Sequence, residues 1–192
     1  QLLTCVRGRV FIGLPIAWSL CTVAEMRYMT EADLERVLSW RNHPDVRNMM
    51  YTRHEISWDE HCRWFSRMQE DRHAHLLIYE DEQPSGFVSF RTRENTSEAV
   101  WGFYLSPDAE TGTGMRMGKS ALQFAFSQLG YEVVIGEVID FNQRSAAFHE
   151  RLGFHRSGIL HGKYHNDQKQ HDVVQYRLTA GHWKETQGIH HD

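Results

Sequence analysis

One ordered succession of segments constrains this chain more than any other feature. An aromatic run, Val100-Trp-Gly-Phe-Tyr-Leu105, leads to a glycine pair, Gly112-Thr-Gly114. Ala121, Leu122, Ala125, Phe126 and Leu129 then mark the buried face of a helix. Glu132-Val-Val-Ile-Gly-Glu-Val-Ile139 follows, a strand with little polar alternation, as expected where both faces are covered. Asn142-Gln-Arg-Ser-Ala-Ala-Phe-His-Glu-Arg-Leu-Gly-Phe154 closes the set. Glycines leave the backbone bare, so consecutive N–H groups can turn toward an anion, and the helix behind them adds its partial positive N-terminus. A G-x-G alone is common in turns; the whole order is far more specific.

The rest of the chain fits around that core. Thr30 is placed to cap a helix with Asp33 at its third position, and Leu34, Val37, Leu38 and Arg41 share one face. That helix stops near Asn42-His43-Pro44. Ser57-Trp-Asp-Glu60 reads as a capping box for a second helix with His61, Trp64, Phe65 and Met68 along one stripe. His75–Tyr79, the turn Asp81–Pro84 and Gly86–Phe90 read as a hairpin, which Glu98–Leu105 extends. Asn142–Leu152 is helical, and Phe154–Leu160 pairs with His171–Leu178 as a last hairpin. The predicted class is α+β, one mixed sheet with helices on its faces.

Composition narrows the function. The 192 residues suit a single domain with a real core, at 41% hydrophobic and 24% charged. A net charge of −4 offers no basic stripe to nucleic acid. Cys5, Cys21 and Cys62 are odd in number and widely spaced, which favours a reducing, cytoplasmic setting over a disulfide framework. The pairs His73/His75 and His161/His165 read as surface or loop histidines, and no metal is expected. Residues 1–24 are anomalous: the apolar run Val10–Ala24 follows Arg7 and Arg9 like a signal-peptide core. It contains Pro15 and is shorter than the roughly 20 residues that span a bilayer. The preferred reading is translated upstream sequence before a start at Met26, with a domain over 25–184 and a tail over 185–192.

The ordered set resembles the GNAT superfamily of acetyl-CoA-dependent N-acetyltransferases, over roughly Glu25–Lys184. The resemblance implies a sheet splayed between two parallel strands, Phe103–Leu105 and Glu137–Ile139, with the pantetheine arm of acetyl-CoA in the gap. It implies that Thr111, Gly112, Thr113, Gly114 and Met115 hold the pyrophosphate. Asn142 would meet the pantetheine arm, though its position equally suits an N-cap, and Phe148, Tyr104 and a Leu105 N–H that receives the oxyanion would complete the cofactor site. Family members usually carry Tyr seven residues after the Asn; His149 stands there instead, and would protonate the departing thiolate if it is charged. Glu137 or His61 is the expected base for the amine.

Trp40-Arg-Asn-His-Pro-Asp-Val-Arg47, Met50-Tyr-Thr52 and Ile56-Ser-x-x-x-His-x-x-Trp-Phe65 are more particular. They resemble the N-acetyltransferases of pseudaminic acid biosynthesis, which acetylate the 4-amino group of a UDP-linked 4-amino-4,6-dideoxy sugar. That resemblance implies an apolar pocket for base and deoxy carbon from Met50, Tyr51, Trp64 and Tyr104, with Arg41 available to a phosphate. It is compatible with a homodimer. Two alternatives stand beside it. Gly158-Ile-Leu160 and His171-Asp-Val-Val174 also resemble protein Nα-acetyltransferases of the ribosomal-protein type. Loss of the usual tyrosine would equally suit a non-catalytic acetyl-CoA sensor.

Overall fold

The computed structural model describes residues 25–165 and 169–188; the expectation for residues 1–24 lies outside the described residues. Seven strands form one sheet in the order β1-β2-β3-β4-β5-β7-β6. β1 (Glu25–Tyr28), β2 (Ala74–Asp81), β3 (Gln83–Thr92) and β4 (Glu98–Leu105) are successively antiparallel. β5 (Val133–Ile139) runs parallel to β4, and β7 (Gln170–Thr179) pairs antiparallel with both β5 and β6 (His155–His165). The final hairpin is longer than its apolar residues suggested.

Alternation along the strands sorts the core into two layers. Leu76, Ile78 and Phe87 face α1 (Leu34–Asn42) and α3 (Trp58–Glu70), packing on Val37, Trp40 and Phe65. Leu77, Tyr79, Val88 and Phe90 face the other side, where α4 (Thr113–Ser127) and α5 (Gln143–Arg151) contribute Met117, Ala121, Leu122 and Phe148. A short α2 (Pro44–Arg47) follows α1. α6 (Ala180–Gly188) runs on through Lys184, with Trp183 buried against the second layer. Among the described residues no helix is long and apolar enough to cross a membrane.

The predicted helix starts are present with local adjustments. The Asp33 carboxylate accepts from the Thr30 N–H at 3.0 Å, and the first turn, Glu31–Asp33, is a 3-10 helix. Arg27 grips the same carboxylate with two bonds of 2.8 Å. Ser57 Oγ accepts from the Glu60 N–H at 3.3 Å, but the Glu60 carboxylate turns out to His54 and does not complete the box. The β2–β3 turn is tighter than Asp81–Pro84, because Glu82 adopts φ 63° and Asp81 pairs directly with Gln83.

The expected splay is present. Parallel pairing of β4 with β5 runs from Glu98↔Val133 to Trp101↔Gly136 and stops. Past that rung β4 stays with β3 and β5 stays with β7.

Candidate active site

Strand register decides which backbone groups face the gap. The Ser106 N–H donates to the Ser85 carbonyl at 2.9 Å, so 85/106 is a hydrogen-bonded pair. Bonded and non-bonded pairs alternate in an antiparallel ladder. Gly86↔Leu105 and Val88↔Phe103 are therefore non-bonded, and the N–H groups of Leu105 and Phe103 point away from β3 into the gap. Across it, the Asp140 N–H donates to the Asp172 carbonyl at 3.0 Å, which by the same count turns the backbone of Glu137 toward β4. An amide chain lying in the gap would meet strand-like partners on both sides.

The glycine loop lies at one end of the gap. Gly112, at φ 93°, is the N-cap of α4 in a conformation that favours glycine. Thr113 and Met115 give their N–H groups to the carbonyls of Glu110 and Gly112, each at 3.1 Å. Within the Thr111–Met115 cradle this leaves the N–H groups of Thr111, Gly112 and Gly114 with no backbone acceptor among the described residues. A Cβ on Gly114 would stand 3.4 Å from Leu105 Cδ1, so loop and strand meet closely. Arg116, which the motif reading did not include, folds back over this loop. Its Nη2 donates to Thr113 Oγ1 at 3.0 Å and its Nε to Asp81 Oδ2 at 3.0 Å.

α5 brings the Asn142 motif beneath the gap. Asn142 Oδ1 accepts from the Ser145 N–H at 3.1 Å, so that oxygen is a helix cap and the amide nitrogen is what remains for a ligand. The Phe148 ring lies 4.8 Å from Phe103, wedged where a Cβ on Gly118 would come within 2.8 Å of it. His149 is 2% exposed. Its Nε2 accepts from Trp101 Nε1 at 3.0 Å, and its Nδ1 lies 2.7 Å from the Ser145 carbonyl. A carbonyl requires a donor and an indole N–H requires an acceptor, so the ring is neutral with its proton on Nδ1. Burial drives its pKa down to about 4. The proposed thiolate acid needed a charged, reachable imidazole; here both nitrogens are committed inside the core, and the geometry does not fit that role. Gly136 makes the arrangement possible, because a Cβ there would collide with the imidazole.

The opposite face of the sheet carries the acceptor candidates. A cavity of about 300 Å³ is lined by Arg41, His61, Trp64, Arg67, Phe87 and Tyr104, among others. Tyr104 stacks on Phe87 at 4.9 Å, Trp64 meets Phe87 edge-on at 6.1 Å, and His61 stacks on Trp64 at 5.1 Å. Arg41 Nη2 donates to the Thr52 carbonyl at 2.8 Å, while its Nη1 is buried without a protein partner. His61 is 3% exposed, and its Nε2 also lacks a partner. Burial pushes the pKa of both groups down and that of the Tyr104 phenol up.

Glu137 stands on the same face as Tyr104. Its Oε2 accepts from Lys163 Nζ at 2.6 Å and Tyr51 OH at 3.1 Å, and its Oε1 from Gln175 Nε2 at 3.2 Å. Burial opposes ionisation, but Lys163 and the other donors outweigh it and hold the carboxyl below its ordinary range. Tyr51 is 48% exposed and belongs to this cluster, its ring 5.9 Å from that of Tyr164. The expected pocket of four therefore divides: Trp64 and Tyr104 line the cavity, Tyr51 flanks the carboxylate, and Met50 is in neither group. Lys163 and Gln175 went unread because only the β5–β7–β6 pairing brings them to Glu137.

Comparison with known proteins agrees with this fold. Residues 24–155 match the family model described as an acetyltransferase (GNAT) domain. Over 127 residues the chain is 26% identical to Acetyltransferase PseH of Campylobacter jejuni, covering 66% of this chain and 79% of that protein. Spermidine N-acetyltransferase from Vibrio cholerae, solved in complex with CoA and spermine, has a TM-score of 0.77 at 17% identity, covering 84% of this chain and 98% of that one. An N-acetyltransferase from Staphylococcus aureus Mu50 has a TM-score of 0.68 at 21% identity, covering 82% and 99%. These two likenesses speak for the fold; the family model, spanning more than half of the sequence, assigns the chain. It belongs to the GNAT acetyltransferase family and is an acetyl-CoA-dependent N-acetyltransferase.

Proposed function

We propose that the enzyme transfers the acetyl group of acetyl-CoA to the 4-amino group of a UDP-linked 4-amino-4,6-dideoxy sugar, as in pseudaminic acid biosynthesis. The observation that carries this reading is the acceptor cavity: aromatic walls from Trp64, Phe87 and Tyr104 with the guanidinium groups of Arg41 and Arg67. Flat rings suit a nucleobase, apolar contacts suit a deoxy carbon, and cations suit a diphosphate. The 26% identity to Acetyltransferase PseH supports the same acceptor. The same lining holds one carboxylate, Glu60, which is engaged by His54; with two arginines against it the cavity favours an anionic acceptor over a polycation such as the fold neighbours' spermidine.

In this reading the glycine loop and Arg116 take the pyrophosphate, the backbone of Phe103, Leu105 and Glu137 takes the pantetheine arm, and the acetyl carbonyl reaches the Leu105 N–H. That N–H receives the oxyanion as the amine attacks. The amine attacks as the free base, its ammonium form having first lost a proton to solvent, and Glu137, a carboxylate at neutral pH, takes the second proton that the attacking nitrogen must lose. Its basicity is damped by three donors, so transfer proceeds as the C–N bond forms and the nitrogen becomes acidic. The thiolate takes its proton from solvent, since the one ring proton of His149 is held by the Ser145 carbonyl.

The test is thiol release from acetyl-CoA with three amines: the UDP-linked 4-amino sugar, spermidine and a peptide with a free N-terminus. Turnover with the sugar nucleotide is the expected result. Turnover with the peptide alone would establish the Nα-acetyltransferase alternative, and turnover with none would favour the sensor.

A further inference from the structure

Glu137 is poorly placed to meet an incoming amine by itself. Its side chain is 13% exposed, and its two oxygens already accept from Lys163, Tyr51 and Gln175. Of these three donors, the Lys163 ammonium has no lone pair to take a proton, and the amide nitrogen of Gln175 serves only as a donor. A phenol differs: it donates through its hydrogen and accepts on its oxygen. Among the described residues the Tyr51 hydroxyl makes one hydrogen bond, its 3.1 Å donation to Glu137 Oε2, so its own lone pairs remain to accept. The residue is 48% exposed, far more open than the carboxylate behind it.

Tyr51 also joins that carboxylate to the acceptor cavity. The next residue, Thr52, lines the cavity, and its carbonyl accepts from Arg41 at 2.8 Å. Two neighbours hold the Tyr51 ring: Lys163 Nζ lies 5.8 Å from its centroid, and the Tyr164 ring lies 5.9 Å away. Glu137 itself is one residue beyond the last β4–β5 rung, Trp101↔Gly136, at the mouth of the splay.

Resting on the assignment of Glu137 as base, we propose that the Tyr51 hydroxyl is the proton relay between the acceptor nitrogen and this carboxylate. As the nitrogen bonds to the acetyl carbon, its N–H bond breaks and the proton passes to the Tyr51 oxygen. In the same step the Tyr51 O–H bond breaks and that proton passes to Glu137 Oε2. The nitrogen loses one proton, Glu137 gains one, and the phenol is regenerated. Burial and the Glu137 charge push the Tyr51 pKa up, so the exchange is concerted and no phenolate forms. Glu137 then gives its proton to solvent.

Single-turnover acetyl transfer isolates this step from product release. Enzyme loaded with acetyl-CoA is mixed with an excess of whichever of the three amines turns over, from the acid limb up to the alkaline plateau. Tyr51→Phe keeps the ring and removes the relay. Its plateau rate constant should fall by ~10²-fold, with little change in melting temperature, acetyl-CoA affinity or the acceptor concentration for half-maximal rate. A hydroxyl that only tuned Glu137 gives the opposite result. Without that donor the carboxyl pKa rises, the acid limb moves up, and the stronger base keeps the plateau at or above the wild-type rate. That outcome would overturn the relay. Glu137→Gln, measured alongside, separates the relay from the base assignment. If Glu137→Gln loses the rate and Tyr51→Phe keeps it, the relay alone fails. If Glu137→Gln keeps the rate, or if none of the amines turns over, base and relay fail together. A proton inventory on the wild type decides the matter without any variant: a quadratic dependence of the rate constant on deuterium fraction is expected for two protons in flight, and a linear one would contradict the relay.

Discussion

Trp101 and His149 meet directly under the rung where the sheet parts: the indole N–H lies 3.0 Å from Nε2, and Trp101 is the last residue of β4 paired with β5. The residue at the position usually held by an active-site tyrosine therefore braces the splay from within. Its protonation should destabilise the fold. The folded pKa of about 4 is below the ordinary value of 6.5, so the unfolded chain binds more protons between those limits. The stability this histidine contributes is whole above pH 6.5 and falls as the pH drops toward 4, by about 3 kcal/mol in all. Denaturant melts between pH 4 and 7 should show this slope, and His149→Gln should reduce it.

The same pair predicts a kinetic result. A proton-donating residue at this position would be worth ~10²–10⁴ in rate. His149→Gln should instead lower the melting temperature while kcat falls less than tenfold. It should leave no altered limb in the kcat–pH profile.

Lys163 tunes the proposed base. Removing it with Lys163→Met leaves burial to act on Glu137 without its strongest opponent, so the carboxyl pKa rises. The acid limb of kcat/KM should move to higher pH. Glu137→Gln should lower kcat by ~10²–10⁴ with a small change in acetyl-CoA affinity.

Much of this architecture was legible in the chain. The apolar run Val133–Ile139 announced a strand buried on both faces, and the glycine pair announced the turn that opens α4, because both signals are local. Cap assignments at Thr30, Ser57 and Asn142 also rested on neighbours in sequence. What escaped was set by pairing across the sheet. Lys163 reaches Glu137 from β6, and Arg116 is held by Asp81 from the β2–β3 turn. His149 showed the opposite limit. Its place in the motif suggested chemistry, but its tautomer depends on Trp101, 48 residues earlier. Tyr51 likewise sat in a motif shared with Met50 yet joins the Glu137 cluster.

Arg116 gives the glycine loop a cation that its backbone lacks. Arg116→Ala should weaken acetyl-CoA binding by roughly 10- to 100-fold, as expected for lost charge-assisted bonds, with little change in kcat at saturation. Asp81→Asn frees the guanidinium from its partner and should weaken binding far less. Gly112→Ala strains a backbone at φ 93° and should lower both affinity and melting temperature. Calorimetric titration with acetyl-CoA, beside thermal melts, separates these effects.

The most direct test of the acceptor assignment is a competition in one vessel. Limiting acetyl-CoA is mixed with the enzyme and equimolar UDP-linked 4-amino-4,6-dideoxy sugar and spermidine, and the acetylated products are weighed by mass spectrometry. The cationic, aromatic cavity predicts that the acetyl group is found on the sugar nucleotide and not on spermidine. Acetylspermidine as the main product, with the sugar nucleotide unchanged, would contradict the account.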